Sequence, residues 1–166
     1  EVERACRILG LLHGPVHAEL RINKRGVYLI EVAPRTIGGL CARTLKFTSG
    51  MSLEELVIRH AFGEKIENSA LQKRASGVMM IPIPRRGVLH EISGLEIARA
   101  VKGVEDIQIT ITPGNLVIPL PEGASYLGFI FAIGRTPEEV EISLRDSHTN
   151  LQFDIRPALE VVDNLE

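Results

Sequence analysis

Between Val16 and Ala33 apolar and polar positions alternate with the period of a half-buried strand. Val16, Ala18, Leu20 and Ile22 alternate with His17, Glu19, Arg21 and Asn23, and a second run, Val27 to Ala33, is apolar and β-branched apart from Glu31. Asn23-Lys24-Arg25-Gly26 separates the two runs. A three-residue loop Lys24-Arg25-Gly26, with Gly26 left-handed, is a favoured closure and predicts a β-hairpin. In that register Asn23 pairs with Val27, and Glu19 falls directly opposite Glu31 on one face. Like charges facing each other across a ladder destabilise it by ~0.2–1 kcal/mol, so the pair needs a compensating charge, and a divalent cation is the obvious one.

Elsewhere the periods change. Val2, Ala5, Cys6, Ile8, Leu9 and Leu12 recur at helical spacing until Gly14-Pro15, with Cys6 on the core stripe. Residues 34–50 read as loop, with a short helix within 40–47. Ser52 and Glu55 form a capping box for a helix over Leu53, Leu56, Val57 and Ala61, ended by Gly63. Residues 64–75 form a polar connector. A second part then begins. Ser76 to Pro82 reads as a strand, Arg85-Arg86-Gly87 as a turn, and Val88 to Ile92 as its pairing strand. Ser93 and Glu96 box a short helix over Leu95 to Val101. Val104 to Thr112 alternates as a strand with Ile107, Ile109 and Ile111 on one face, and Leu116 to Leu120 adds a short one. Ser125 to Ile133 reads as a strongly apolar strand buried on both faces, and its run Tyr126 to Ile133 is either a domain core or the seam of a homodimer. Thr136-Pro137-Glu138-Glu139 opens a helix with cap, proline and N3 acid together, over Val140, Leu144, Ser147 or His148, and Leu151. The pattern predicts an α+β chain in two parts, 1–74 and 75–157, with a tail over 158–166.

Composition narrows the function classes. The chain has 166 residues, 45% hydrophobic and 24% charged, with a net charge of −2. That balance gives no electrostatic case for nucleic acid or a membrane surface. With no tryptophan and 4% aromatic residues there is no base-stacking platform, and no run approaches the roughly 18 apolar residues of a membrane span. Two cysteines without CxxC spacing, and no secretory signal, fit a reducing cytoplasm. The chain begins at Glu1 inside a helical pattern, which reads as a fragment.

Glu19 and Glu31 are the candidate metal ligands. Mg²⁺ prefers hard oxygens and takes only one or two carboxylates, leaving its other positions to water and nucleotide phosphates. Arg35, just past the strand, offers a fork for phosphate or carboxylate, and Gly38-Gly39 let backbone amides approach an anion. The alternative is a solvated acid pair neutralised by Arg21, Lys24 or Arg35. His17, one strand step from Glu19, is a weaker candidate. His13, His60, His90 and His148 lack close ligand-like neighbours, which argues against zinc. Arg85-Arg86 read as a solvated turn, Cys41 as a buried thiol.

HAEL, followed after the hairpin by IEVAPRTIGGL, resembles the C-terminal end of the ATP-grasp fold. The resemblance implies that Glu19 and Glu31 hold the magnesium ions (Mn²⁺ as a substitute) that bridge ATP phosphates. It also implies that Arg35 is a catalytic and nucleotide-binding residue beside the transferring phosphoryl group. Ala33 stands where the common pattern has a metal-binding asparagine, a departure shared by bacterial L-amino-acid ligases and their relatives. SGVMMIPIPRRGVLHEISGLEIARAVKGVEDIQI and LPEGASYLGFIFAIGRTPEEVEISL resemble the small C-terminal domain of those ligases. The implied activity is carboxylate–amine ligation through an acyl phosphate, with small-molecule carboxylate and amine substrates, amino acids among them. Gly38 and Gly39 would then bind substrate, with Leu40 to Arg43 beside them. The glycine-rich loop and lysines of such a site are not present, so the chain would need the N-terminal part of the same protein. A biotin-carboxylase-like or purine-synthesis ATP-grasp enzyme, and a non-catalytic α+β binding module, are the alternatives.

Overall fold

A computed structural model, describing residues 1–67 and 69–158, divides the chain between Gln72 and Lys73 into two units. The tail expected over 158–166 lies, from 159 onward, outside the described residues.

In the first unit α1 (Val2–Ile8) is followed by the antiparallel hairpin β1 (His17–Asn23) and β2 (Gly26–Ala33), a 3-10 turn over Cys41–Thr44, and α2 (Leu53–Ala61). α1 ends sooner than its apolar pattern, because Gly10 takes φ +73° and turns the chain before Leu12. At α2 half of the predicted capping box forms. Ser52 Oγ accepts the Glu55 N–H at 3.1 Å, while the Glu55 carboxylate is engaged by Arg59 at 2.8 Å. The polar connector is tied back: Thr48 N–H donates to Ala70 O and Gln72 N–H to Lys46 O, at 2.8 and 2.7 Å. Among the described residues of this unit the buried hydrophobics are Ala42 and Phe47, while Ile8, Leu9, Ile22 and Ile30 stay exposed. Cys6, expected in a core, is half-buried.

The described residues of the second unit form two three-stranded antiparallel sheets. One has the order β3 (Ala75–Ile81), β7 (Gly128–Gly134), β5 (Val104–Ile109). The other has the order β6 (Leu116–Val117), β4 (Gly87–Ser93), β8 (Gln152–Arg156). The predicted hairpin between 76–82 and 88–92 is therefore corrected: the two strands belong to different sheets. Pro82 and Pro84 lie between them and have no N–H for a ladder. Arg85 is exposed, as read, and it also donates from Nε and Nη2 to the Ile155 carbonyl at 3.1 and 2.6 Å, fastening this link to β8. The central strand β7 is buried, and every residue from Leu127 to Ala132 lies inside the unit, so that run is core. Ile81, Leu89, Ile107 and Ile155 close the core around it.

α3 (Leu95–Arg99) is capped by Gly94, not by the predicted Ser93, which ends β4. Gly94 holds φ +81° and lies so close to the Asn150 carbonyl that a Cβ there would stand 1.9 Å from its oxygen. α4 (Pro137–Thr149) starts as predicted: Thr136 Oγ1 accepts the Glu139 N–H, with Pro137 at the first position. Between Ser147 and His148 the core position goes to Ser147, fully buried, whose hydroxyl donates to the Ala98 carbonyl at 3.0 Å.

Among the described residues of this unit, three carboxylates titrate below their ordinary values. Glu139 is lowered by the Arg135 guanidinium and backbone N–H, Glu138 by its own backbone N–H and the Thr136 hydroxyl, and Asp154 by Arg156. Their contribution to stability is present above the unfolded pKa values and is lost as pH falls through the lower folded ones. Urea midpoints of this unit are expected to hold from pH 7 to about 5 and to drop on further acidification. Glu139→Gln should flatten that acid limb; an unchanged limb would rule out its share.

Candidate functional site

The hairpin brings Glu19 directly opposite Glu31, by a route that differs from the predicted one. The turn has two residues, Lys24 and Arg25, with Asn23 paired to Gly26 rather than to Val27. Asn23 Oδ1 accepts the Arg25 N–H at 2.8 Å, and Gly26 takes φ +141°. Continued regularly, that register would put Glu31 opposite Ala18, on the face away from Glu19. A β-bulge intervenes. Leu20 pairs with Leu29 and Glu19 with Glu31, so Ile30 is the extra residue. The bulge returns both carboxylates to one face.

On that face the two acids are half exposed, at 54% and 47% of their side chains. Arg35, leaving the end of β2, brings Nη2 to 3.4 Å from Glu31 Oε1, and its Nη1 donates to the Thr36 carbonyl at 3.2 Å. His17 brings Nε2 to 3.5 Å from Glu19 Oε1, with its own side chain 21% exposed. Each carboxylate thus has one oxygen beside a nitrogen donor. Lys24 and Arg21, the other candidate neutralisers, make no ion pair with either acid among the described residues.

The glycine pair follows. Gly39 and Leu40 are both left-handed, at φ +63° and +56°, and the Cys41 N–H donates to Gly38 O at 3.2 Å. A left-handed leucine costs on the order of 1 kcal/mol, and no signal in the sequence marks it. A Cβ built on Gly38 meets nothing within 4 Å, so the chain's own packing does not require glycine there. Cys41 Sγ lies 3.6 Å from the Gly39 carbonyl and is half-buried.

The donor set fits a hard divalent ion. Two opposed carboxylates on paired strands match what Mg²⁺ takes from protein when phosphate and water complete its octahedron. Among the described residues no group of three or more His, Cys, Asp or Glu side chains is placed to hold a metal. No helix among the described residues is long and apolar enough to cross a membrane.

Comparison with known proteins bears on this geometry. Residues 1–44 match a family model described as ATP-grasp domain, and residues 79–156 one described as L-amino acid ligase C-terminal domain 2. An L-amino acid ligase from Bacillus licheniformis superposes with a TM-score of 0.80 at 30% identity, over 94% of this chain and 39% of that one. A phosphoribosylglycinamide synthetase from Anaerococcus prevotii gives 0.77 at 19% identity, over 94% and 40%, and shares the fold. A curated relative, the uncharacterized protein y4rH of Sinorhizobium fredii, is 26% identical over 98% of this chain and 34% of its own length. The chain thus spans between a third and two fifths of these relatives.

Proposed function

We propose that this chain, which has the α+β fold of the C-terminal part of an ATP-grasp protein of the L-amino-acid-ligase type, is the metal-holding portion of an ATP-dependent carboxylate–amine ligase. Residues 1–74 would close the ATP-grasp domain and 75–157 would form the small domain that follows it. The observation that carries the reading is the Glu19–Glu31 ladder pair with Arg35 at the strand exit.

Glu19 and Glu31 would hold Mg²⁺, which when bound draws the phosphate oxygens of ATP together and offsets the charge that builds on them. Arg35, exposed and only loosely held by Glu31, can turn its fork to the transferring γ-phosphoryl group. A substrate carboxylate oxygen takes that group, and ADP leaves. An amine nitrogen then attacks the acyl carbon, the C–O bond electrons depart with phosphate, and the nitrogen loses a proton, leaving an amide. Gly38 and Gly39 would flank the carboxylate, with open space beside Gly38, where a Cβ meets nothing within 4 Å. The carboxylate and the amine are proposed to be small molecules such as amino acids, and Cys6 and Cys41, both free thiols, suit a reducing cytoplasm. Ile8, Leu9, Ile22 and Ile30 are each exposed, apolar surface that the rest of the protein would cover.

Hydroxylamine tests the acyl phosphate directly. Full-length protein given ATP, Mg²⁺ and a set of amino acids, with hydroxylamine as the amine, is expected to release ADP and to form a hydroxamate of one or a few of those acids. ADP release without any hydroxamate would refute the acyl-phosphate step; the absence of both would refute the ligase reading for that substrate class.

A further inference from the structure

We propose that His17 is a positioning residue for the Glu19 carboxylate, holding Oε1 so that Oε2 is presented to the metal ion; this rests on the metal reading of the acid pair given above. His17 and Glu19 are two positions apart on β1 and so share a face. Nε2 stands 3.5 Å from Oε1, and a movement of about half an ångström makes it an ordinary hydrogen bond.

The two side chains differ in freedom. Glu19 is 54% exposed and His17 21%, so the ring is the member of the pair held by its surroundings. Across the ladder His17 faces Ala33, whose methyl group leaves the strand end open to the ring. A flexible exposed carboxylate loses rotamer entropy when it binds an ion. A fixed donor on one oxygen removes part of that loss beforehand and disfavours bidentate capture of the ion. On the opposite strand Arg35 takes Glu31 Oε1 in the same way. However, Arg35 is itself exposed and is required at the phosphoryl group, so it cannot stay on its acid through the reaction. His17 can. The asymmetry assigns the standing support to Glu19 and the transient one to Glu31.

The experiment reads metal binding apart from turnover. Mn²⁺ is titrated into the full-length protein with ADP present, and free Mn²⁺ is followed by electron paramagnetic resonance. His17→Ala is expected to weaken Mn²⁺ about 10-fold, the lower end of the range for lost supporting hydrogen bonds. His17→Gln, whose amide nitrogen can stand where Nε2 stands, should recover most of the affinity. His17→Asn, whose amide nitrogen stands nearer Nδ1, should not. ADP affinity without metal should match wild type in all three. Equal Mn²⁺ affinity in His17→Ala and wild type, or equal loss in the Gln and Asn variants, would overturn the proposal. Glu19→Gln, run alongside, separates the two failures. If it abolishes Mn²⁺ binding while His17→Ala binds Mn²⁺ as wild type does, His17 has no such role and the metal reading stands. If Glu19→Gln binds Mn²⁺ as wild type does, both readings fall.

Discussion

Glu31→Gln is expected to cut ATP-dependent turnover of the full-length protein by about 10²–10³-fold, the loss typical of deleting one charge-stabilising contact at a transferring group. Stability should move the other way. Glu31 faces Glu19 across the ladder, and removing one of two opposed like charges relieves ~0.2–1 kcal/mol. Gln keeps the shape and the exposure of the side chain, and gives up only an exposed contact to Arg35 at 3.4 Å, of a kind worth little in solution. A variant with unchanged or raised unfolding midpoint and collapsed turnover is therefore the expected outcome. It is checked by urea unfolding alongside ADP release at saturating Mg·ATP. Wild-type turnover would remove the metal assignment. A fall in midpoint parallel to the fall in turnover would make Glu31 a structural residue.

Ile130→Ala should cost the second unit about 2–5 kcal/mol. Ile130 is fully buried at the middle of β7, between Met79 on β3 and Ile107 on β5. Both neighbouring strands hang on β7, so the cavity opens at the centre of the sheet, where the backbone can collapse least. The control is Ile30→Ala: the same side chain, 65% exposed at the bulge, is expected to change stability by under about 0.5 kcal/mol. Hydrogen exchange resolves the two, with protection of β3, β5 and β7 amides falling in Ile130→Ala and unchanged in Ile30→Ala. Equal effects from the two isoleucines would contradict the burial on which the fold description rests.

Much of the fold was legible because its signals are local. Thr136-Pro137-Glu138-Glu139 states a helix start within four residues, and the cap forms as written. The apolar run at β7 announces a strand buried on both faces. Pairing choices were not legible, since they depend on residues far apart in sequence. β3 and β4 look like a hairpin until Pro82 and Pro84 send the chain to another sheet, and β8 went unpredicted because Asp154 breaks a strand of five residues. Arg85 and Gly94 have long-range reasons, the carbonyls of Ile155 and Asn150 respectively, which no window of sequence contains. At the candidate site the acids, Arg35 and the glycine pair were legible by residue type, and the ladder brings the acids together. The left-handed Leu40 was not, because backbone strain leaves no mark in a residue pattern, and His17 was legible only as a residue one strand step from Glu19, not as a ring 3.5 Å from its Oε1.

The bulge at Ile30 makes turn length and ladder regularity interchangeable. A two-residue turn with one extra ladder residue, and a three-residue turn with none, leave the same number of residues between Glu19 and Glu31. Spacing along the chain is thus degenerate over two backbones, and a fixed-spacing search cannot tell them apart. The tip of the hairpin can gain a residue while the strand loses one, and both carboxylates stay on their face. A single uncompensated insertion or deletion between the bulge and the tip obeys a parity rule instead. It either is absorbed by making or erasing a bulge, or sends one acid through to the other side of the sheet.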